Sequence, residues 1–157
     1  ELLNRLARHP LTRALRVDKM TLAALEATLK IYRNPEKALQ EIPTLAALVA
    51  RPSALKEKAQ RLKGLLADAL RSKAAVDLRE IVSQPGGGAL PLTDLPSWGV
   101  SIKAKGISAS ELARRLRQSE PPLLARIQEE FIILDSRTIL PGEEKEIVAA
   151  LARALEE

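Results

Sequence analysis

Two arginines near the start of the 157-residue chain have the spacing of an oxyanion-binding pair. Arg13 and Arg16 are three residues apart, and on a helix this separation places both side chains on one face with Cβ atoms about 5–6 Å apart. Two guanidinium groups so placed can hold a phosphate-like anion through several charge-assisted hydrogen bonds. Arg8 and Lys19 add positive charge nearby. A solvated basic helix face would have the same spacing, so spacing alone leaves both interpretations open.

Two further features of the chain bear on ligand binding. The stretch Ser83–Pro91 contains three consecutive glycines after a predicted strand, but it lacks the residues of a phosphate-binding loop. This favours a structural turn over a loop that faces a ligand or a neighbouring subunit. Arg126 lies between apolar residues of another predicted strand. An outward-facing position is favoured for it over one aimed into a cleft.

Composition excludes several classes of site. The chain has no cysteine and one histidine, His9, so a metal site or a Ser-His-Asp triad is not expected. His9 precedes Pro10 and is expected to cap or pack at a helix entry. Aromatic residues make up 2% of the chain, which argues against a stacking platform for single-stranded nucleic acid. No run of eighteen apolar residues occurs, so no membrane span is predicted.

Residues 1–73 are predicted to be helical. Leu22, Leu25, Leu29 and Tyr32 form one apolar stripe on a helix that ends near Asn34-Pro35. A second helix is predicted from Pro35 to about Val49, with an interruption at Pro43. A third is predicted to begin at Ser53, as N-cap, and to run to about Arg71.

Residues 74–157 have a mixed pattern. A strand from Val76 slips phase near Arg79-Glu80, which predicts a bulge, and a second strand includes Trp98 to Ala104. Ser108 and Glu111 have capping-box spacing for a helix to about Gln118. The remaining predicted elements are two strands, Leu123–Ile127 and Phe131–Asp135, joined by a tight turn, and a final helix from Pro141.

The fold class predicted is α+β: a helical N-terminal segment, residues 1–73, followed by a small β-β-α-β-β-α lobe, residues 74–157. Charge divides in the same way. The first segment carries 15 Lys and Arg against 7 Asp and Glu, a net charge of about +8, and the second carries 10 against 13. The first segment is therefore expected to attract anionic partners.

Several stretches resemble the bacterial selenocysteine synthase family, the L-seryl-tRNA(Sec) selenium transferases. The longest covers residues 9–29 and reads HPLTRALRVDKMTLAALEATL. Shorter stretches similar to the family follow in order at Glu41–Leu45, Ser83–Pro91 and Ile132–Arg137. The resemblance covers nearly the whole chain, and it departs at Gln128–Glu130, where a glycine-containing turn is expected.

The resemblance implies a cytoplasmic pyridoxal-phosphate enzyme with the aspartate-aminotransferase-like fold, which forms homo-oligomers. Such an enzyme converts seryl-tRNA(Sec) to selenocysteinyl-tRNA(Sec) by dehydrating the serine and adding selenium from selenophosphate. The cofactor-binding lysine lies upstream of the His-Pro-Leu motif in the family, so no catalytic residue is expected in this chain. The selenocysteine tRNA is bound mainly by an N-terminal region that also precedes it. The arginines that match Arg13 and Arg16 help to line the pocket for the phosphate of the selenium donor.

The chain is accordingly expected to be the C-terminal portion of such an enzyme, inactive by itself. Residues 1–73 would leave the large cofactor-binding domain, and residues 74–157 would form the small domain. A start at Glu1, within an amphipathic pattern and without an initiator Met, favours a piece of a longer protein. Two other functions remain open. One is a related pyridoxal-phosphate lyase acting on a small amino-acid substrate, and the other is a basic helical module that binds nucleic acid or protein.

Overall fold

The computed structural model describes residues 1–86 and 93–156. Contacts divide the chain into two compact units, Glu1–Ala46 and Ala47–Glu157. The elements in chain order are α1 (Leu2–Arg8), α2 (Pro10–Ala14), α3 (Lys19–Tyr32), α4 (Pro35–Glu41), α5 (Pro43–Val49), α6 (Pro52–Leu70), β1 (Ala74–Ser83), β2 (Leu95–Ala104), α7 (Ala109–Gln118), β3 (Arg126–Gln128), β4 (Phe131–Asp135) and α8 (Glu144–Ala154). The predicted α+β class, with helices followed by a β-β-α-β-β-α order, is confirmed.

The first unit consists of short helices whose ends are set by local chemistry. Asp18 caps α3 by accepting hydrogen bonds from the backbone N–H groups of Met20 and Thr21, and Asn34 caps α4 in the same way. Ala38 is the buried hydrophobic residue of this unit. The apolar stripe of α3 is about half exposed, from 48% at Tyr32 to 55% at Leu29. This unit therefore has almost no core of its own.

The second unit is built on a four-stranded antiparallel sheet in the order β1-β2-β4-β3. Strands β1 and β2 pair without interruption from Ala74–Ala104 to Ser83–Leu95. The bulge predicted at Arg79-Glu80 is therefore wrong. The alternation of buried and exposed residues along β1 changes near Arg79 because Ala74 is buried on one face of the sheet and Ile81 is buried on the other.

One face of the sheet carries the core of the second unit. Leu62, Leu66 and Leu70 of α6 are at most 1% exposed and belong to one cluster with Val100 and Ile102 of β2. Burying a leucine contributes about 1.5–3 kcal/mol, so this cluster dominates the stability of the unit. Helix α6 therefore belongs with the sheet, although the sequence grouped it with the preceding helices. The predicted domain boundary at residue 73 concerns an intact enzyme and stays a prediction.

The opposite face of the sheet is concave. Arg79 of β1 pairs with Glu129 in the β3–β4 turn, and the Arg126 guanidinium of β3 donates to the Val82 carbonyl of β1. Strands β2 and β4 lie between these partners, so the sheet must curl for the side chains to meet. At Gly99 of β2, the β4 backbone and the Ile81 side chain lie close to where a Cβ would be.

Several predicted boundaries need correction. Helix α8 begins at Glu144, later than the predicted start at Pro141, and β2 begins at Leu95, earlier than Trp98. Helix α6 has Arg51 as its N-cap residue and Pro52 in its first turn, so Ser53 lies inside the helix and does not cap it. Proline suits that first-turn position because its missing N–H has no helical partner there. Strand β3 begins at Arg126, later than the predicted start at Leu123. The predicted tight turn between β3 and β4 is present, with both Glu129 and Glu130 at positive φ.

Candidate functional site

Arg13 lies in the last turn of α2, and local capping determines where that helix begins. His9 precedes it, and its Nδ1 accepts a hydrogen bond from the Leu11 backbone N–H at 3.3 Å. Pro10 occupies the first helical position, where it costs no hydrogen bond. The predicted capping role of His9 is confirmed. The Arg13 side chain is exposed.

Arg16 lies just beyond the end of the same helix. The α-helix stops at Ala14, with Leu15 as its C-cap, so the premise that both arginines share one α-helical face is wrong. The Arg16 backbone N–H instead donates to the Arg13 carbonyl at 3.4 Å. This bond closes a final, tighter turn and keeps the two arginines on one turn of the chain. The Arg16 side chain is also exposed.

Neighbouring contacts fix the surroundings of this arginine pair. The Thr12 hydroxyl donates to the Leu6 carbonyl at 2.5 Å and so joins α2 to α1. On the other side, Asp18 is engaged by the N-terminus of α3. Hydrogen bonds from the Thr21 backbone and hydroxyl, followed by the Met20 backbone, lower the pKa of the Asp18 carboxyl. The Asp18 carboxylate is therefore ionised and engaged in the helix cap, and it forms no ion pair with Arg16 among the described residues.

The electrostatics of the pair suit an anion. Within residues 1–86 and 93–156, neither Arg13 nor Arg16 has a hydrogen bond or an ion pair from its guanidinium group. Residues 2–17 contain no Asp or Glu. Two exposed guanidinium groups on one turn, neither of them in an ion pair with a carboxylate of the described residues, can together bind a phosphate-like oxyanion.

The glycine-rich stretch is described only in part, since its residues 87–91 lie outside the described ranges. At its start the Ser83 hydroxyl donates to Asp135, and the Gln84 amide donates to Asp94 at 3.1 Å. Both contacts are internal to the second unit. The preference for a structural turn over a ligand-facing loop stays a prediction.

Arg126 lies at an exposed strand position and also beside a cavity. Its side chain is exposed, as an outward-facing strand position predicts, and it donates to the Val82 carbonyl at 3.2 Å. It also lines a cavity of about 480 Å³ beside β4 and α8. Ile133, Ile147 and Glu146 are among the other residues that line this cavity.

A polar cluster surrounds Asp135 and is not predicted by any pattern in the sequence. The Asp135 carboxylate accepts hydrogen bonds from Ser83, from the Ser97 hydroxyl at 2.7 Å and from the Arg137 backbone N–H at 3.0 Å. These residues come from three strands and the turn after β4, so only the fold brings them together. The cluster is saturated internally, and this indicates a structural role.

Arg137 is the buried cation of the second unit. It is 9% exposed, and its guanidinium donates to the Ala47 and Pro96 carbonyls at 2.6 Å each. The Ala47 and Ala50 carbonyls lie at the C-terminal end of α5, where a cation also suits the helix dipole. Arg137 therefore ties the end of α5 to the start of β2.

A covalent pyridoxal-phosphate site requires an accessible lysine beside a phosphate cradle. Burial lowers the pKa of Lys58, against the opposing charges of Glu144 and Glu143. Its ammonium nitrogen, however, donates to the Ile139 carbonyl and serves the packing of α6. Lys58 is therefore not available to bind the cofactor covalently. No group of three or more His, Cys, Asp or Glu side chains within the same residues is arranged to hold a metal ion.

The chain matches the family model described as "SelA: L-seryl-tRNA selenium transferase" over residues 1–140. It is 54% identical over 156 residues to the L-seryl-tRNA(Sec) selenium transferase of Moorella thermoacetica. It is 47% identical over 149 residues to the enzyme of that name from Solidesulfovibrio magneticus, and 43% identical over 153 residues to that of Nitratidesulfovibrio vulgaris. These alignments cover 94–99% of the chain but 32–33% of each relative. The chain therefore spans about a third of the length of the relatives it matches.

Proposed function

Since the chain belongs to the L-seryl-tRNA selenium transferase family, we propose that it is the C-terminal portion of a selenocysteine synthase. The intact enzyme would convert seryl-tRNA(Sec) to selenocysteinyl-tRNA(Sec) with selenophosphate as the selenium donor. Residues 1–73 would leave the large domain and residues 74–157 would form the small domain. The division into two units supports a modular chain, although it falls between Ala46 and Ala47 and groups α6 with the sheet of residues 74–157.

The arginine pair is the feature of this chain that bears on the reaction. Arg13 and Arg16 are exposed, lack protein partners among the described residues and lie on one turn of an acid-free stretch. We assign to them the binding and orientation of the oxyanion of selenophosphate. Charge-assisted hydrogen bonds from two guanidinium groups would hold the donor so that its selenium faces the serine-derived carbon.

The cofactor is assigned to the rest of the enzyme. As the family resemblance implies, the pyridoxal-phosphate lysine and its phosphate-binding groups would lie outside this chain, and Lys58, which donates to the Ile139 carbonyl, would not take that role. The chain alone is therefore expected to be inactive and to bind no cofactor covalently. Selenocysteine tRNA would be held mainly by a region outside it, in a cytoplasmic homo-oligomer. No helix of the described residues is long and apolar enough to cross a membrane.

Substitution of each arginine in the intact enzyme tests the proposed anion site. Arg13→Ala and Arg16→Ala should each raise the KM for selenophosphate about tenfold or more, because a charge-assisted hydrogen bond contributes about 1.5–3 kcal/mol. Absorbance of the bound cofactor should persist in both variants. Arg117→Ala is the matched control, since Arg117 is exposed on α7 and has no protein partner among the described residues.

Unchanged selenium transfer in both variants would contradict the proposed anion site. The family assignment is tested separately by the RNA that co-purifies with the intact enzyme. Enrichment of selenocysteine tRNA supports the synthase, whereas its absence, together with turnover of a free amino acid, would favour the related lyase.

A further inference from the structure

The first seventeen residues carry more unpaired arginines than the proposed anion site uses. The arginine segment, defined here as residues 2–17, contains Arg5, Arg8, Arg13 and Arg16 and no acidic residue. We infer that Arg5 and Arg8 contact phosphates of the single-stranded 3′ end of the aminoacyl-RNA substrate. This inference rests on the proposed function and adds an RNA-contact surface to this part of the enzyme.

The clustering of four arginines, unpaired among the described residues and with no acidic residue between them, distinguishes this segment from the rest of the basic surface. Ion pairs of the described residues begin at Glu26–Lys30 and recur in both units. Arg5 and Arg8 take part in none, and their guanidinium groups have no hydrogen bond among those residues. Exposed cations clustered between single carboxylates, here Glu1 and Asp18 at the two ends of the segment, produce a positive potential that attracts a polyanion.

The geometry of α1 places the two arginines together. Arg5 and Arg8 are three residues apart in its last turn, so their side chains leave one face. The Thr12–Leu6 hydrogen bond joins α1 to α2, which carries Arg13. The arginine segment therefore carries two pairs of guanidinium groups, one on α1 and one at the end of α2, and a hydrogen bond joins the two helices.

The chemistry of the substrate explains why two pairs are needed. A seryl group esterified to the 3′ end of an RNA cannot approach the selenium donor without bringing the terminal phosphates with it. Arg13 and Arg16 are assigned to the donor, so those phosphates require separate cations nearby. Arginine suits this role because its planar fork binds phosphate oxygens in pairs. The segment has no aromatic side chain for base stacking, so the contact would be to the backbone and independent of sequence.

An anionic membrane is the competing occupant. Leu2, Leu3 and Leu6 are 58–80% exposed and make α1 amphipathic, and a basic amphipathic helix also suits a lipid surface. RNA is favoured because the relatives that match this chain are named for an RNA-linked substrate. The lipid alternative becomes an outcome of the experiment.

The test uses the intact, cofactor-loaded enzyme with the double substitution Arg5→Gln and Arg8→Gln. Its control is the double substitution Arg51→Gln and Arg117→Gln, which removes the same charge from two exposed arginines that lack partners among the described residues. Affinity for tRNA(Sec) is measured by fluorescence anisotropy across a range of salt concentrations. The same tRNA with its unpaired 3′ nucleotides removed, and phosphatidylserine vesicles, serve as comparison probes.

The expected result is about a tenfold loss of tRNA affinity in the Arg5/Arg8 variant and a decrease of about 1.4 in the log–log salt slope, since each single-strand phosphate contributes about 0.7. The difference from the control should disappear with the shortened tRNA. An Arg5/Arg8 variant that matches its control would overturn the inference. So would an equal loss with the shortened tRNA, or vesicle binding that depends on the two arginines while tRNA binding does not. The KM for selenophosphate should stay within twofold, which separates this inference from the Arg13/Arg16 site.

Discussion

A side-chain carbon at Gly99 would lie 2.6 Å from the carbonyl oxygen of Leu134 and 2.9 Å from Cδ1 of Ile81. Both distances are shorter than van der Waals contact. Gly99 is therefore required by the close approach of its neighbours inside the curled sheet, and not by its own backbone angles. The central strand cannot accept even a methyl group at this position without moving β4.

Gly99→Ala is expected to lower the free energy of unfolding by about 1–3 kcal/mol, as overpacking does in a filled core. Gly64→Ala is the internal control, because nothing lies within 4 Å of the added carbon and Gly64 is exposed on α6. Alanine is favoured over glycine in a helix interior, so this variant should gain about 0.5–1 kcal/mol. Urea titration of both variants measures the difference. Equal stabilities would contradict the close approach.

Removal of the buried guanidinium should weaken the second unit. Arg137→Ala removes the charged donor of the Ala47 and Pro96 carbonyls, and a hydrogen bond from a charged group contributes about 1.5–3 kcal/mol. Arg137→Lys should recover only part of this loss, because an ammonium cannot span both acceptors in the geometry of the fork. Thermal unfolding of the two variants tests whether the lysine variant lies between the alanine variant and the parent in stability. A lysine variant as stable as the parent would show that charge alone suffices.

The β3–β4 turn offers a stabilising substitution. Glu129 and Glu130 have φ of 51° and 63°, the left-handed region that a two-residue type I′ turn needs and that glycine enters without steric cost. Glu130→Gly should therefore raise the free energy of unfolding by about 1 kcal/mol. Glu129→Gly should gain less, because it also removes the ion pair with Arg79. Chemical denaturation of the two variants gives the comparison, and an identical gain would show that the ion pair contributes nothing.

The lowered pKa of the Glu111 carboxyl predicts how the stability of the fold changes at acidic pH. Hydrogen bonds from the Arg114 and Arg115 side chains lower the pKa of the Glu111 carboxyl from 4.5 to about 2. The folded state therefore releases this proton more readily than the unfolded state. The resulting stabilisation is fully present above about pH 4.5 and is lost as the pH falls towards 2. NMR titration of Glu111 checks the pKa directly. The variant Glu111→Gln should have a flatter acid limb in its stability profile, and an unchanged limb would contradict the assignment.

Helix ends were the most predictable part of the fold, because their causes are local. Ser108 caps α7 by accepting from the Glu111 N–H, and Asn34-Pro35 separates α3 from α4, as the sequence predicts. Local reasoning failed where distant strands decide the outcome. The phase change at Arg79-Glu80 has the pattern of a bulge in sequence, but it reflects burial on two faces of an unbroken strand.

The candidate site was predictable in composition but not in shape. Arg13 and Arg16 could be selected from their spacing and from the resemblance of residues 9–29, yet the helix ends between them at Ala14. The Asp135 cluster and the two carbonyl partners of Arg137 could not be anticipated. Their members are separated by up to ninety positions in the chain and meet only when the sheet and α5 are in place.

Because the Arg137 guanidinium binds carbonyls at the end of α5, a truncated polypeptide should include α5 if the second unit is to fold with all its contacts. A polypeptide that begins at Pro43 keeps the whole of α5 and both carbonyls that the guanidinium binds. A polypeptide that begins at Pro52 keeps α6 and the entire sheet, but the buried Arg137 guanidinium then lacks the Ala47 and Ala50 carbonyls as acceptors. The shorter piece should therefore exchange its amide protons faster near Pro96, even though every strand of the sheet is intact.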